Sequence, residues 1–182
     1  LLIFSVAFLF IFRPWSVLAD TTSTLRPTAD GGNDSASWTN TIGTACNAAD
    51  CYLEVDESSG SSCTNSDGNT SYVKSSTTNA SQTFDLNLSG IPNDSVISQI
   101  NIILCYAKDA VGPGNDFKTR RCIAGSCIDH STAIAAEETT YAETTQSHTG
   151  LSITKDSFTD LEIGMTLTGN KSNPTRISQI SA

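Results

Sequence analysis

Charged residues are scarce in this chain, and those of positive sign are the scarcest. Among 182 residues there are 10 Lys and Arg against 19 Asp and Glu, which leaves a formal net charge of −9. Proteins that bind nucleic acids use Lys and Arg to displace the counterions of the phosphates, and anionic membrane surfaces attract the same residues. The composition therefore argues against both kinds of partner, and the acidic surface mainly serves solubility.

The chain also lacks a recognisable catalytic motif, and it contains only two histidines. His130 and His148 lie in polar surroundings without triad partners, so we expect each to be a solvated loop residue. Asp56 and Glu57 are adjacent carboxylates, but neighbours in a strand point to opposite faces, which argues against a glycosidase pair. We therefore predict no catalytic residues, no cofactor and no enzymatic activity.

The apolar run at the N-terminus is too short to span a membrane, which takes about 20 residues. It extends from Leu1 to Phe12 and is typical of the apolar region of a signal peptide. The segment Val17-Leu18-Ala19 supplies the small or medium residues of a cleavage site. We expect a signal peptide at 1–19, lacking its own beginning, with cleavage before Asp20. An uncleaved anchor is the alternative. The predicted location is extracellular or at the cell surface, with no membrane span after cleavage.

The remaining sequence consists of short alternating runs between turn signals. We expect 20–37 to be a polar segment with the first strand, and 38–182 to form one domain whose last strand is cut short. The most apolar stretch, Val96 to Ala107, predicts a central strand with both faces covered. Further strands are predicted at CYLEVD (Cys51 to Asp56), SYVKS, TFDLNL, LSITKDSF, LEIGMTLTG and TRISQISA.

The turn signals predict how these strands connect. Residues 111–116 form a hairpin loop in this interpretation, after which Phe117 to Ile123 returns antiparallel to the central strand. Ala124 and Gly125 turn the chain again, and 133–141 (AIAAEETTY) has helical leanings. With about eight to ten short strands, the pattern predicts an all-β fold, an antiparallel and jelly-roll-like β-sandwich stapled by disulfides.

Several segments occur together in a familiar order. They are VDE followed by a Cys, a YV pair, DLNLSGIPNDSVISQINIILCYAKD, LSITKDSFTDLEIGMTLTG and TRISQIS. This order resembles β-sandwich modules in exported surface proteins of uncultivated, small-genome bacteria, over most of residues 26–182. The resemblance implies the fold and the surface location, and it implies no enzyme chemistry. The family pattern has one Cys after the VDE and one in the central strand, which correspond here to Cys63 and Cys105.

The other four cysteines form two C-x4-C units, CNAADC and CIAGSC. Cys122 and Cys127 flank a tight turn, and a hairpin end supplies the Cα separation of about 4.4–6.8 Å that a bridge needs. A pairing of Cys105 with Cys122 across the 112–115 hairpin stays open. The pairs that we favour are Cys46–Cys51, Cys63–Cys105 and Cys122–Cys127.

Two metal sites compete with simpler interpretations. The C-x4-C units lie at the edge of the spacing used by structural zinc, but cysteines of an exported protein pair in an oxidising environment. An acidic group with amide oxygens nearby could bind calcium, yet its spacing matches no EF-hand, and a solvated acidic loop is the simpler interpretation. The members of this group are Asp50, Glu54, Asp56, Glu57, Asp67, Asn65 and Asn69. We therefore predict no metal site.

Aromatic side chains could build a sugar-stacking platform, although core packing is the simpler role for them. The candidates are Trp38, Tyr52, Tyr72, Tyr106 and Tyr141. The function predicted from the sequence is a non-catalytic structural or adhesive module, with a surface glycan or an envelope protein as partner. The alternative is a carbohydrate-binding module, with or without the assistance of calcium, which would share the fold.

Overall fold

The computed structural model describes residues 24–32, 36–55, 63, 71–137, 139–157 and 160–182, and it is nearly all β. The predicted signal peptide lies outside the described residues. The described residues form eleven strands, against the eight to ten that were predicted, and two of the eleven have only two residues each. The strands are β1 Pro27–Asp30, β2 Val73–Ser75, β3 Ser81–Leu86, β4 Val96–Ile97, β5 Ile100–Lys108, β6 Phe117–Ile123, β7 Ser126–Asp129, β8 Ala142–His148, β9 Ile153–Thr154, β10 Leu161–Leu167 and β11 Thr175–Ser181.

Two antiparallel sheets pack together, which confirms the predicted β-sandwich. The five-stranded sheet has the order β1-β3-β10-β6-β7, the four-stranded sheet has the order β2-β11-β5-β8, and β4 pairs with β9. Strands β3 and β10 follow from TFDLNL and LEIGMTLTG, whose alternation directs Phe84 and Ile163 into the core. Among the described residues, no helix is both long and apolar enough to cross a membrane.

The apolar stretch 96–107 gives a central strand, as predicted, but it begins later. Val96–Ile97 pairs with β9, and β5 runs separately over Ile100–Lys108 between β11 and β8. Ile102 and Leu104 are fully buried on one face, and Cys105 is buried on the other. Coverage of both faces explains why this strand lacks the polar alternation of an edge strand.

The predicted hairpin between β5 and β6 was wrong. The two strands belong to different sheets, so residues 109–116 carry the chain across the sandwich instead of reversing it within one sheet. The crossing is tight at Gly114, where a Cβ atom would lie 2.5 Å from the carbonyl oxygen of Ala136 and 2.8 Å from Cβ of Lys108. Turn residues signal a change of direction but not the partner of the next strand, which the packing of the two apolar faces decides.

The prediction of a strand at CYLEVD was also wrong. Cys51–Glu54 forms a short 3-10 helix, with Cys51 and Val55 buried and Leu53 53% exposed. The carboxylate of Asp30 accepts hydrogen bonds from the backbone nitrogens of Cys51 and Tyr52, at 2.9 and 2.7 Å. A carboxylate brought by the distant strand β1 thus caps the first turn, which local alternation cannot reveal.

This difference between strand and helix can be tested at two neighbouring apolar positions. Val55→Ala is expected to lower the free energy of unfolding by about 2 kcal/mol, because it leaves a cavity in the core. Leu53→Ala is expected to change it by less than about 0.5 kcal/mol, because that side chain is largely in solvent. Urea denaturation of both variants measures this contrast. Equal losses would restore the strand interpretation, in which both side chains share the core face.

The region predicted to lean towards a helix contains none among its described residues. Residues 133–137 and 139–141 have no regular helix, and β8 begins immediately after them at Ala142. Similarly, LSITKDSF contributes only the two-residue β9, followed by a 3-10 turn at Lys155–Ser157. Isolated helical propensity over a few residues is weak, and pairing with β5 offers 142–148 a full ladder of hydrogen bonds instead.

Candidate functional site

A polar cluster crosses the interior between the two sheets. Thr119 comes from β6, and Gln146 and His148 come from β8; their exposed fractions are 0%, 6% and 6%. Oε1 of Gln146 accepts the backbone N–H of Thr119 at 2.9 Å and lies 2.9 Å from Thr119 Oγ1. Nε2 of His148 lies 3.0 Å from the same hydroxyl oxygen. The cluster therefore places a carboxamide and an imidazole against the same hydroxyl group.

Strand geometry explains this arrangement. Gln146 and His148 are two residues apart in β8, so both side chains point inward, opposite Ile102 and Ile100 of β5. Thr119 belongs to the other sheet, where it is paired with Met165 of the neighbouring strand β10. Nε2 of Gln146 donates to the carbonyl oxygen of Thr132 at 2.8 Å, which fixes the orientation of the carboxamide. The cluster is therefore a rigid link between two β-sheets.

His148 is not the solvated loop residue that the sequence predicted. It is the last residue of β8 and is buried. Burial lowers its pKa from 6.5 to about 4, and the electrostatic effects of Arg121 and His130 act in the same direction, whereas Asp129 opposes them. The imidazole is therefore neutral at physiological pH, with Nε2 able to accept or donate a hydrogen bond according to its tautomer.

His130 lies beside His148, although eighteen residues separate them in the sequence. The two rings meet edge to face, with centroids 5.5 Å apart. Nδ1 of His130 lies 3.2 Å from the backbone nitrogen of Thr132, so the loop after β7 holds this ring in place. Arg121 completes the surroundings, and its Nε is buried without a hydrogen-bond partner among the described residues.

The depressed pKa of His148 predicts a loss of stability in mild acid. Between pH 6.5 and about 4 the unfolded chain binds a proton that the folded chain does not, so the free energy of unfolding falls as pH falls. We expect this group to contribute a loss of about 2 kcal/mol between about pH 7.5 and about pH 4.5. Urea denaturation across this range, compared with the His148→Gln variant, measures the effect. An unchanged slope in the variant would assign the pH dependence to other groups.

The carboxylates with shifted pKa values matter mainly at the acid end of that range. Burial raises the pKa of Asp30 and of Asp85, which adds stability as pH falls through their titration. The hydrogen bonds and charge of Arg120 hold the pKa of Asp129 below its usual value, although burial opposes them, so that contribution is lost in acid. Because these shifts have opposite signs, the window from pH 6.5 to 5 reports His148 most clearly.

All six cysteines form disulfides, and the pairs are those favoured from the sequence. Cys46–Cys51 and Cys63–Cys105 have Cα separations of 5.3 and 5.4 Å, and Cys122–Cys127 has 4.0 Å. Cys122 lies opposite Cys127 in the β6–β7 hairpin. The alternative pairing of Cys105 with Cys122 is absent, because Cys105 is bonded to Cys63 and Cys122 to Cys127.

These bridges leave no thiolates for the zinc site that was considered. Among the described residues, one group of three potential ligands was found, namely Cys63, Cys105 and Glu143, whose ligand atoms all lie within 4.8 Å of one another. The two sulfurs are bonded to each other, so they do not act as thiolate ligands. The carboxylate of Glu143 is therefore a neighbour of a structural bridge.

The acidic group considered as a calcium site is only partly described. Asp56, Glu57, Asp67, Asn65 and Asn69 lie outside the described residues. Asp50 is exposed, and Glu54 accepts hydrogen bonds from Thr41 and Ser71, at 2.6 and 3.1 Å. Glu54 therefore ties three segments of the chain together.

A buried carboxylate in β10 was not predicted from the sequence. Glu162 is 7% exposed and accepts a hydrogen bond from Thr83 of β3. The chain passes closely over it at Gly31, where a Cβ atom would lie 2.6 Å from both the Glu162 and Thr83 side-chain oxygens. The alternation of LEIGMTLTG predicts only that this side chain faces away from the core, and the packing of the 31–32 segment buries it.

Three of the five aromatic side chains considered for a platform are packed against other described parts of the chain. Trp38 is fully buried in the core, and Tyr106 packs edge-on against Phe117 with centroids 5.0 Å apart. Tyr72 is 7% exposed, and the guanidinium of Arg176 stands 4.5 Å above its ring. The guanidinium therefore covers the face of this ring, and it also forms an ion pair with Asp109.

Comparisons with known proteins show a structural likeness. No family model matches the chain, and no curated protein matches it. Among solved structures, "Family 16 Carbohydrate Binding Module-2" is similar over 63% of this chain and 77% of its own, with 17% sequence identity and a TM-score of 0.39. What the fold itself defines is an antiparallel β-sandwich, stapled by three disulfides, with a buried Thr–Gln–His cluster between its sheets.

Proposed function

We propose that this chain is a non-catalytic structural or adhesive module of an exported cell-surface protein, of the kind that its sequence resembles. The observation that carries the proposal is the complete oxidation of its cysteines, since all six are paired. Disulfides persist in oxidising compartments and are rare in the cytosol. An exported module needs such cross-links because it works without the chaperones and the reducing chemistry of the cell interior.

The architecture supports the same role. Both sheets bury a continuous apolar core. The buried cluster of Thr119, Gln146 and His148 joins the two sheets. A cross-linked domain of this kind resists unfolding and exposes its outer faces to a partner, which suits a repeating or adhesive unit of a cell envelope.

Surface labelling of intact source cells tests the location. We expect an antibody against residues 71–182 to bind cells that have not been permeabilised. Treatment of the cells with external protease should abolish this antibody binding. Non-reducing peptide mapping of the recovered chain should show no free thiol. A chain confined to the cytosol, with reduced cysteines, would overturn the proposal.

A glycan array, run with and without calcium, tests the class of partner. Binding to a defined polysaccharide would show that adhesion operates through carbohydrate recognition, which is the alternative predicted from the sequence. Binding that requires calcium would direct attention to the acidic stretch around Glu54. If no glycan binds, carbohydrate recognition is excluded, and cross-linking on intact cells should then identify an envelope protein as the contact.

A further inference from the structure

We propose that Thr119 and Gln146 join their side chains through an intramolecular ester bond, with His148 transferring the proton. The bond would link strand β6 of the five-stranded sheet to strand β8 of the four-stranded sheet. It requires no ligand and no partner, so it stands or falls separately from the proposed surface role. The three side chains have the complementary chemistry of a nucleophile, an electrophile and a base.

The geometry places each group where this reaction needs it. Thr119 Oγ1 lies 2.9 Å from Oε1 of Gln146, so the hydroxyl is in contact with the carboxamide whose carbon it would attack. Nε2 of His148 lies 3.0 Å from the same hydroxyl, within reach of its proton. The backbone N–H of Thr119 donates to Oε1 at 2.9 Å, at the atom where negative charge develops.

The reaction balances without an oxidant or a co-reactant. The hydroxyl proton of Thr119 passes to Nε2 of His148 as Oγ1 bonds to Cδ of Gln146, which gives a tetrahedral intermediate with its charge on Oε1. The imidazolium returns that proton to Nε2 of Gln146, the C–N bond breaks, and ammonia leaves. The products are a Thr119–Gln146 ester, one molecule of ammonia and a neutral His148.

The surroundings suit a reaction that happens once in each molecule. All three residues are at least nine-tenths buried, so water is kept from competing with the hydroxyl and from hydrolysing the ester. Burial, together with the neighbouring charge of Arg121, lowers the pKa of His148 and keeps its imidazole unprotonated, so the imidazole can accept a proton but is a weak base. The reaction is expected to be slow, and the fixed contacts from Thr132 and from the Thr119 backbone provide the alignment over that time.

The bond would complete a pattern of cross-links in this fold. The Cys122–Cys127 bridge lies within one sheet, whereas an ester between β6 and β8 would tie the two sheets to each other. Such a link is permanent under reducing conditions that open disulfides. It would therefore hold the sandwich closed when the cysteines are reduced or when the chain is pulled.

Intact-mass spectrometry of the full chain tests this proposal. Ester formation removes one ammonia, so the folded protein should lose about 17 Da during incubation at neutral pH. Trypsin cleaves after Lys118, Arg120, Arg121 and Lys155 in this region. The dipeptide Thr119–Arg120 should then remain attached to the peptide 122–155, which contains Gln146. Hydroxylamine, added to the denatured intact protein, should cleave the ester and release the link.

Three substitutions separate the chemistry from folding. Thr119→Val should keep the full mass, because it has no hydroxyl, whereas Thr119→Ser should still lose about 17 Da. His148→Gln should slow the loss by about 10²-fold or more. Thr166→Val is the matched control, since Thr166 bonds Asp129 on the other face of the same sheet, and it should react normally. Circular dichroism establishes that each variant is folded.

The remaining outcomes would overturn the proposal. Folded wild-type protein that keeps its full mass after prolonged incubation shows that the cluster only makes hydrogen bonds. A loss of about 17 Da that persists in Thr119→Val locates the chemistry elsewhere, such as an asparagine ring closure. A gain of about 1 Da at Gln146 shows hydrolysis of the carboxamide by water in place of attack by the hydroxyl.

Discussion

Removing the Cys63–Cys105 bridge by the double substitution to Ser is expected to lower the free energy of unfolding by about 4 kcal/mol. The bridge joins residues separated by 42 positions, so its loss frees a long loop in the unfolded chain. Cys105 is also 2% exposed in the central strand β5, so the bridge attaches Cys63 to the middle of a sheet. Urea denaturation, followed by the fluorescence of buried Trp38, provides the measurement.

The matched control is the double substitution of Cys122 and Cys127. This bridge spans only 5 positions, and the same entropy model predicts a loss of about 2 kcal/mol. The hairpin around it is also held by the β6–β7 ladder. Equal losses from the two double variants would show that loop length does not control the stabilisation, and that local packing around each bridge does.

Replacing Gly164 by Ala is expected to lower the free energy of unfolding by about 3 kcal/mol or more, or to prevent folding. A Cβ atom at this position would collide with the carbonyl oxygen of Gln82, and it would lie 2.8 Å from Cα of Thr83. Both are backbone atoms of β3, which pairs with β10 at this point. Relief therefore requires the two strands to separate, since no flexible side chain can move aside.

Gly90→Ala is the control for this substitution. Gly90 lies in a turn, and no atom lies within 4 Å of the position of an added Cβ. Its effect should be within about 0.5 kcal/mol of zero, as for most surface substitutions. Thermal and urea denaturation of both variants compare the two positions. Similar losses in the two would mean that the close approach at Gly164 is relieved more easily than the strand pairing suggests.

Regular alternation made β3 and β10 predictable, because an apolar side chain at every second position can be buried only by a sheet. Strand β8 offered no such signal. Its inward residues include Gln146 and His148, which both contact Thr119 through polar atoms in place of contributing apolar surface. A polar side chain facing inward looks the same in sequence as one facing solvent. The buried cluster was therefore missed together with the strand that carries it.

Local sequence also failed at CYLEVD, for a related reason. The apolar residues Leu53 and Val55 alternate as in a strand, but Asp30 caps this segment from twenty-one residues away and stabilises a 3-10 turn. The hairpin predicted for 111–116 failed because adjacent strands in sequence went to opposite sheets. In both cases a contact with a distant part of the chain outweighed the local preference.

The sequence by itself indicated the fold class, most of the strands and the two short bridges, since these depend on periodicity, turn residues and cysteine spacing. The Cys63–Cys105 pair was favoured through the resemblance to a known family. Only the tertiary structure decided which strands share a sheet and which polar side chains are buried. Thr119, Gln146 and His148 carry no shared motif, because side chains from opposite sheets become neighbours through packing rather than through spacing. The chemistry proposed for this chain therefore depends on two sheets closing over one another.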